Sequence, residues 1–360
     1  MPTLSYENLI PPDCTVYNYV ECHMALWFWR IVPPVLLLFG TCGNILNITI
    51  LSRHALRKYS TSMYLLFLAA SDMTYLTLSL VTDAATALRL FSIYHLNDAS
   101  CKVVEWLLYT SGLLSVWLLV MITLERLLAI KYPFTARHKM TPMFAFVTCI
   151  TLLVALCLFT GHVLLQNQVV DVLTVTQNAT HNWTMTERFC TQMPESHRVF
   201  YNGDWSLLLF IFGNVIPGTI IVIGNVVIAV TVINVRRSVR PIVQHRTVAQ
   251  NVHKTPTKLL FALTVMFFCT TTPFAVYIVS MDHTRDVDGH TLARYQLFTV
   301  LTYCSLWFNN SFNFILYFMN GTLFKNEWKV IAQSITTSVR KAFNGPATST
   351  ASNTTRSTVT

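Results

Sequence analysis

Polar and ionisable side chains interrupt several long apolar stretches of this sequence. Asp72 lies in the middle of one of them, in the segment LAASD. Ionisable residues inside such stretches mark functional sites by default, because burying a charge in a bilayer costs free energy. An ionised Asp72 with oxygen-bearing partners could bind a small hard cation; the alternative is a neutral carboxyl group, hydrogen-bonded to its neighbours and to structural water. The candidate partners, each in the middle of another apolar stretch, are Asn44, Ser115, Asn309 and Asn313.

A Glu-Arg pair ends another apolar run, in LLVMITLERLLAIKYPF (118–134). The carboxylate of Glu125 can neutralise Arg126 in a partly buried site. Once released, the guanidinium group of Arg126 offers five hydrogen-bond donors to the backbone carbonyl groups of a partner. The alternative is a pair at the membrane boundary whose long side chains simply reach water.

The elements that must position these residues are membrane-spanning helices. The chain has 360 residues, of which 53% are hydrophobic and only 11% are charged, and its mean hydropathy is +0.49. Soluble domains carry roughly a quarter charged residues, so the composition excludes an ordinary soluble protein. Apolar windows of roughly 20 residues, enough to cross a bilayer, predict an all-α membrane protein with a seven-transmembrane helix bundle. The predicted spans are 27–51, 61–88, 102–131, 142–165, 204–234, 256–280 and 293–319.

The basic residues predict how the bundle is oriented. Most of them follow the first, third, fifth and seventh spans, and basic loops stay on the cytoplasmic side. We therefore expect a multi-pass plasma-membrane protein with an extracellular N-terminus and a cytoplasmic C-terminus; no cleaved signal peptide is apparent. The expected regions are an outer arm (1–26), the bundle (27–319), an amphipathic membrane-surface helix (320–333) and a disordered Ser/Thr-rich tail (334–360).

Four of the nine cysteines fall in the predicted outer segments, where disulfides persist. A bridge from Cys101, at the head of the third span, to Cys190 would hold the long loop between spans four and five over the mouth of the bundle. Cys14 and Cys22 are the remaining pair. The same loop contains two glycosylation sequons, at Asn178 and Asn182, which agrees with an outer location.

Taken in order along the chain, several short motifs resemble those of the rhodopsin-like (class A) G-protein-coupled receptors. They are GNILN, LAASD, Cys101, ERLLAIKYPF, Cys190, Pro217, FFCTTTPF with Pro273, and NFILY. The resemblance covers about residues 30–333, and its strength lies in the ordered set rather than in any one motif.

This resemblance implies roles for the residues above. Arg126, together with Phe134 and Tyr317 of this chain, would contact a heterotrimeric G protein. Glu125 would restrain Arg126 at rest. Asp72, Ser115, Asn309 and Asn313 would form an allosteric sodium site, and Cys101–Cys190 would be the family's disulfide. The Ser/Thr-rich tail would serve a receptor kinase and arrestin.

Several positions depart from the family's pattern. The Tyr of the Glu-Arg-Tyr motif is Leu127 here, and the fourth span has no Trp. Thr271 stands where a Trp normally precedes the sixth-span proline, Asn225 replaces a fifth-span Tyr, and Phe314 replaces the Pro after Asn313. These departures concern the usual activation path rather than the fold.

The ligand is expected to be a cationic, amidated neuropeptide. Amine receptors of this family carry an Asp where Leu108 stands, and retinal proteins need a Lys in the seventh span, which is absent. The long second outer loop and the excess of acidic residues in the outer segments favour a cationic peptide. NNSFNFILY also resembles invertebrate receptors of the FMRFamide and myosuppressin type. The candidate pocket residues are Asp83, Glu105, Tyr109, Tyr277, Tyr303 and Trp307.

Other functional classes fit less well. A non-signalling decoy receptor that internalises its ligand is the alternative that the departures leave open. A transporter should show paired repeats and interrupted helices, and the sequence has neither. No motif indicates an enzyme or a cofactor other than sodium, and the net charge of +9 follows from the basic inner loops rather than from nucleic-acid binding.

Overall fold

The computed structural model describes residue 14 and residues 18–88, 96–178, 181–192, 204–239, 257–280, 287–320 and 322–344. Within these ranges the chain forms eight long helices, α1 to α8, and one β-hairpin. Three short helices, His54–Arg57, Pro133–Lys139 and Val163–Gln166, connect them. The long helices are α1 (Val20–Leu51), α2 (Ser60–Ala87), α3 (Asp98–Lys131), α4 (Pro142–Phe159), α5 (Ser206–Phe210, Ile211–Val215 and Ile216–Val239 in succession), α6 (Thr257–Ser280), α7 (Gly289–Asn320) and α8 (Thr322–Asn344).

The predicted all-α architecture with seven spanning helices is confirmed. In the described ranges, six helices, α1 to α6, are long and apolar enough to cross a membrane. The seventh, α7, is as long as α1 but more polar, and it packs against α1, α2 and α6. Its polar residues face the interior of the bundle, where they escape contact with lipid. The buried ones are Gln296, Thr299, Thr302, Asn309, Asn310, Ser311 and Asn313.

Local sequence signals set the ends of the helices that matter most for function. Asn97 caps α3, since its side chain accepts a hydrogen bond from the Ser100 backbone N–H at 2.9 Å. At the other end of α3, Pro133 follows Tyr132 and starts a new short helix. Thr141 caps α4 by accepting from the Phe144 N–H at 3.1 Å. These signals fix how far α3 reaches toward each face of the bundle.

Several boundaries differ from those expected. α1 begins at Val20 rather than at 27, so it includes part of the expected outer arm. α4 ends at Phe159, not at 165, because the chain turns there and forms the short helix Val163–Gln166. α8 continues to Asn344, so the expected disorder of residues 334–344 is wrong. The arm before residue 18, apart from Cys14, and the tail after 344 lie outside the described residues.

A long β-hairpin between α4 and α5 was not expected. β1 (Asn167–Asn178) pairs antiparallel with β2 (His181–Gln192). Cys190, opposite Val169 in the register, is disulfide-bonded to Cys101 of α3, and the Val169 N–H donates to Asp98 at 2.8 Å. The run of β-branched residues in VVDVLTVT was the available signal. The hairpin is therefore fixed to the start of α3 at two points, with both sequon asparagines near its tip.

Both expected disulfides are present. Cys101 and Cys190 have Cα atoms 5.6 Å apart, and Cys14 and Cys22 have Cα atoms 5.9 Å apart. The end of the bundle that carries both bridges is called the disulfide end below, and the opposite end is called the Arg126 end. The free cysteines in the described ranges are Cys42, Cys149, Cys157, Cys269 and Cys304, all on helices, as expected.

Glycine permits a close contact between three helices of the bundle. A Cβ atom added to Gly40 of α1 would lie 2.7 Å from Leu76 Cδ1 of α2 and 2.7 Å from Ser311 Oγ of α7. One turn later, a Cβ at Gly43 would lie 3.2 Å from Phe314 of α7. Small residues at such crossings let the backbones approach closely. The α1–α2–α7 packing therefore depends on Gly40.

We predict that Gly40→Ala destabilises the bundle by about 1 kcal/mol or more, because the added methyl group overpacks the α1–α2–α7 contact. The matched control is Gly112→Ala, where the new Cβ would meet only the Tyr75 ring at an ordinary 3.4 Å. Thermal unfolding of the purified variants in detergent measures the difference. Equal melting temperatures for the two alanine variants would contradict the close contact.

Candidate functional site

Asp72 is the centre of a polar cluster between α2, α3 and α7. Its side chain is fully buried. Ser115 Oγ of α3 donates to Asp72 Oδ1 at 2.6 Å, and Asn313 Nδ2 of α7 donates to Asp72 Oδ2 at 2.6 Å. Three of the four residues expected to form a sodium site are therefore brought together. Both oxygens of the carboxylate are held by short hydrogen bonds, as its burial requires.

Asn310, which the sequence analysis did not select, takes the place expected for Asn309. Asn310 Oδ1 lies 3.4 Å from Ser115 Oγ, and the Asn310 carbonyl accepts from Asn44 Nδ2 at 3.1 Å. Asn309 is buried, but within the described part of the chain its side chain makes no hydrogen bond to Asp72. Adjacent residues of a helix point about 100° apart, so only one of two neighbouring asparagines can face α3.

The cluster has oxygen atoms that could hold a small cation. Asp72 supplies a carboxylate, and Ser115 and Asn310 supply neutral oxygens nearby. Asn44, which donates to the Asn310 carbonyl, has a further buried oxygen, Oδ1, with no hydrogen-bond partner within the described ranges. Oxygen donors of this kind suit a hard cation. The residues therefore fit the sodium ion that the sequence suggested.

At the Arg126 end, Thr61 of α2 connects the Glu125–Arg126 pair. Thr61 Oγ1 donates to Glu125 Oε1 at 2.5 Å and accepts from Arg126 Nη2 at 2.9 Å. Glu125 and Arg126 form no direct ion pair in this described region. Glu125 is buried, and the Thr61 hydroxyl group connects it to Arg126 through two hydrogen bonds. Thr61 was missed because nothing in the sequence indicates which α2 residue faces α3.

The two other residues expected at this end differ in exposure. Phe134, in the short helix Pro133–Lys139, is 87% exposed, which suits contact with a partner protein. Tyr317 of α7 is buried near Phe324 of α8, with ring centroids 6.4 Å apart. Its hydroxyl group has no hydrogen-bond partner in the part of the chain that is described. Only Phe134 is therefore directly accessible in this conformation.

Two departures from the family pattern contact residues on the neighbouring helix. Thr271 Oγ1 of α6 accepts from Asn214 Nδ2 of α5 at 3.1 Å, and Asn225 Nδ2 of α5 donates to Thr264 Oγ1 of α6 at 2.5 Å. Asn214 lies in the π-helical turn Ile211–Val215, where an extra residue changes the direction of side chains on α5. Polar pairs therefore connect α5 and α6 at both positions.

The candidate pocket residues at the disulfide end form two groups. Asp83 Oδ2 accepts from Ser79 Oγ at 3.1 Å, and Trp307 Nε1 donates to the same Ser79 oxygen at 2.9 Å. Glu105 of α3 interacts electrostatically with Asp83. Tyr303 lies beside Trp307, with ring centroids 5.7 Å apart. These four candidates share one region between α2, α3 and α7.

The remaining two candidates contact other neighbours. Tyr277 of α6 accepts from Thr299 of α7 at 2.9 Å, and Tyr303 packs against the cluster that contains Tyr277, with the Phe274 ring between them. Tyr109 of α3 contacts Trp205, with ring centroids 5.5 Å apart. Tyr277 therefore joins the group around Tyr303, and Tyr109 contacts the α4–α5 side.

An aromatic cluster around Trp205 was missed by the sequence analysis. The Trp205 ring contacts Phe159 at 5.6 Å and His162 at 4.3 Å between centroids. Burial lowers the pKa of His162 below its ordinary value. Aromatic residues are too frequent in membrane helices for the sequence alone to mark this cluster.

Comparison with known proteins agrees with this geometry. Residues 43–317 match the family model described as 7 transmembrane receptor (rhodopsin family). The chain is 25% identical to galanin receptor 2a from Danio rerio, over 86% of this chain and 81% of the relative. It is 23% identical to type-1 angiotensin II receptor B from Xenopus laevis, over 86% and 80%.

A shorter match of 31% identity, over 34% of each chain, is to human C-C chemokine receptor type 1. The family model covers most of the bundle, from the glycine of GNILN in α1 to Tyr317 in α7. It thus includes the Asp72 cluster, Thr61 and the Glu125–Arg126 pair. The chain belongs to the rhodopsin family of seven-transmembrane receptors.

Proposed function

We propose that this receptor binds an extracellular peptide at the disulfide end and activates a heterotrimeric G protein at the Arg126 end. The observation that carries the proposal is the Thr61 link, which holds Arg126 by a single neutral hydroxyl group. A hydrogen bond from a charged donor contributes roughly 1.5–3 kcal/mol, so a rearrangement that breaks this one bond can release Arg126. The exposed Phe134 would then contact the same partner.

A peptide is the ligand best supported by the relatives and by the outer surface. The relatives above are named for galanin, angiotensin II and C-C chemokines, all of which are peptides or proteins. The long β-hairpin is fixed to the start of α3 by Cys101–Cys190. We propose a cationic, amidated neuropeptide, in line with the acidic outer segments.

The orientation of the chain follows from the same proposal. Both disulfides and both sequons lie at the disulfide end, which we place outside the cell, with Asn178 and Asn182 glycosylated. The Arg126 end, with most of the basic residues, lies in the cytoplasm of a plasma-membrane protein. α8 rests on the inner leaflet, and the Ser/Thr-rich tail beyond it takes part in kinase and arrestin regulation.

Signal transfer runs along α2, α3 and α7. Thr61, Asp72 and Asp83 are spaced by 11 residues on α2, which is about three turns and nearly the same helix face. A ligand that shifts α7 through Trp307 also shifts Asn313 and so loosens the α2–α3 contact at Asp72. The released Arg126 then offers its donors to the carbonyl groups of the G protein, and Tyr317 gains a partner as α7 moves.

We predict that Thr61→Val raises ligand-independent nucleotide exchange on the G protein by about tenfold or more, because it removes the hydroxyl group that links Glu125 to Arg126, and a hydrogen bond to a charged group is worth roughly 1.5–3 kcal/mol. Arg126→Ala should abolish exchange, both alone and combined with Thr61→Val. Thr61→Ser, which keeps the hydroxyl group, is the matched control. Membranes from cells with equal surface expression of each variant are assayed for binding of a labelled GTP analogue to the G protein. The assay is run with and without a panel of amidated Arg-Phe peptides.

The same assay decides between signalling and the decoy alternative. An unchanged exchange rate in Thr61→Val, with no response to any stimulus from surface-expressed protein, would favour a non-signalling receptor. An Arg126→Ala variant as active as the unmodified receptor would contradict the role of Arg126.

We also propose that Asp72 binds an allosteric sodium ion that stabilises the resting arrangement. Sodium would bridge Asp72 to neutral oxygens on α3 and α7 and hold these helices together. The proposal rests on the Ser115 and Asn310 oxygens beside Asp72 and on the unpartnered Asn44 Oδ1.

We predict that replacing choline chloride with sodium chloride raises the melting temperature of the purified receptor, because the ion binds only the folded state. Asp72→Asn and Asn310→Ala should remove this increase, whereas Asn309→Ala should keep it. An increase of the same size in Asp72→Asn would show that sodium acts elsewhere. Loss of the increase in Asn309→Ala but not in Asn310→Ala would show that Asn309, and not Asn310, contacts the ion.

A further inference from the structure

Asp83 is a buried carboxylate that the proposed coupling machinery does not use. Its side chain is 9% exposed and lies on α2, about three turns from Asp72 toward the disulfide end. One oxygen, Oδ2, is held by Ser79, which is itself held by the indole N–H of Trp307. This chain of hydrogen bonds from α7 to α2 fixes the direction of the carboxylate.

The second oxygen of Asp83 has no partner among the described residues. No Lys, Arg or His nitrogen of those residues lies within 4 Å of Asp83. Arg30 of α1, on the same side of the bundle, donates instead to the Ala87 carbonyl at 3.4 Å. Glu105 adds a second negative charge to the region. A buried carboxylate without a counter-charge is costly, so the site favours any cation that enters it.

Aromatic rings form the apolar part of the same site. Trp307 and Tyr303 contact each other at 5.7 Å, and Trp29 of α1 lies 5.7 Å from Trp307 and 5.6 Å from Tyr303 between centroids. Trp307 and Trp29 are almost fully buried, whereas Tyr303 is half-buried. Ring faces of this kind attract cations, and Arg more often than Lys.

We propose that Asp83 is the subsite for a guanidinium group of the ligand, with Tyr303 and Trp307 as its aromatic wall. A guanidinium group is planar and weakly hydrated, so it stacks on rings and offers paired donors to a carboxylate. Its long aliphatic stem lets it reach a buried acid from the mouth of the bundle. The inference rests on the proposed peptide function, since it names the chemical group that such a ligand must carry.

Binding of matched small probes tests this subsite without any G protein. The probes are the amidated dipeptides Arg-Phe, citrulline-Phe and Lys-Phe, of which citrulline keeps the shape of Arg but has no charge. Each is titrated into the purified full-length receptor, and the melting temperature is followed up to millimolar concentrations. We expect the Arg probe to stabilise the receptor at concentrations about 10- to 100-fold lower than the citrulline probe.

Variants of Asp83 separate a binding role from a structural one. Asp83→Asn should remove the preference for the Arg probe and leave the response to the citrulline probe unchanged, whereas Asp83→Glu should retain part of the preference. Glu105→Gln should weaken the preference less than Asp83→Asn does, and Asp204→Asn, at an exposed acid just before α5, is the matched control that should keep it in full. The melting temperature of each variant without probe, and its sodium-dependent increase, report whether the bundle is intact.

Three results would overturn the inference. The first is an equal response to the Arg and citrulline probes, or none to the Arg probe at millimolar concentration. The second is a preference that survives in Asp83→Asn but is lost in Glu105→Gln, which would move the subsite to α3. The third is a stronger response to the Lys probe than to the Arg probe. Probe binding without nucleotide exchange would instead support the subsite and count against G-protein coupling.

Discussion

The hydrogen-bonded carboxylate of Asp72 is the contact on which the rest of this structure depends. Inside a bilayer a buried acid must find partners within the protein, because neither lipid nor bulk water can supply them. Ser115 and Asn313 meet that requirement from two different helices. The position and rotation of α2 relative to α3 and α7 are thereby fixed at mid-membrane.

The functional groups at both ends of the bundle follow from that arrangement. With α2 held at Asp72, Thr61 faces α3 at one end and contacts both members of the Glu125–Arg126 pair. At the other end, Ser79 accepts from Trp307 of α7 and donates to Asp83. One helix face thus carries the proposed ligand subsite, the proposed ion site and the Arg126 contact. A movement of α7 relative to α2 would act directly on the first two, through Trp307 and Asn313.

Two of the departures from the family pattern, Thr271 and Asn225, are each matched by a polar residue on the neighbouring helix. Thr271 is matched by Asn214, and Asn225 is matched by Thr264, so amide–hydroxyl hydrogen bonds connect α5 and α6 where large aromatic rings are usual. Such bonds in membrane helices are worth roughly 0.6 kcal/mol each on average. They hold the two helices in register and are weak enough to exchange.

The sequence by itself determined the features that depend on composition and on local spacing. The length of the apolar stretches determined the spans, among them the more polar α7. The positions of the four outer cysteines agreed with both disulfides. Asp72, Ser115 and Asn313 were identifiable because polar residues are rare in apolar segments and rarely lack a partner.

Only the tertiary structure decided which residues meet across helices. It placed Asn310 rather than Asn309 beside Ser115, brought Thr61 to Arg126, and brought Tyr109 to Trp205. It also formed the hairpin and extended α8 to Asn344. The helical period gives the relative directions of side chains on one helix, but the rotation of each helix about its axis is set by packing with its neighbours. That rotation is a property of the assembled bundle, and no single segment of the sequence contains it.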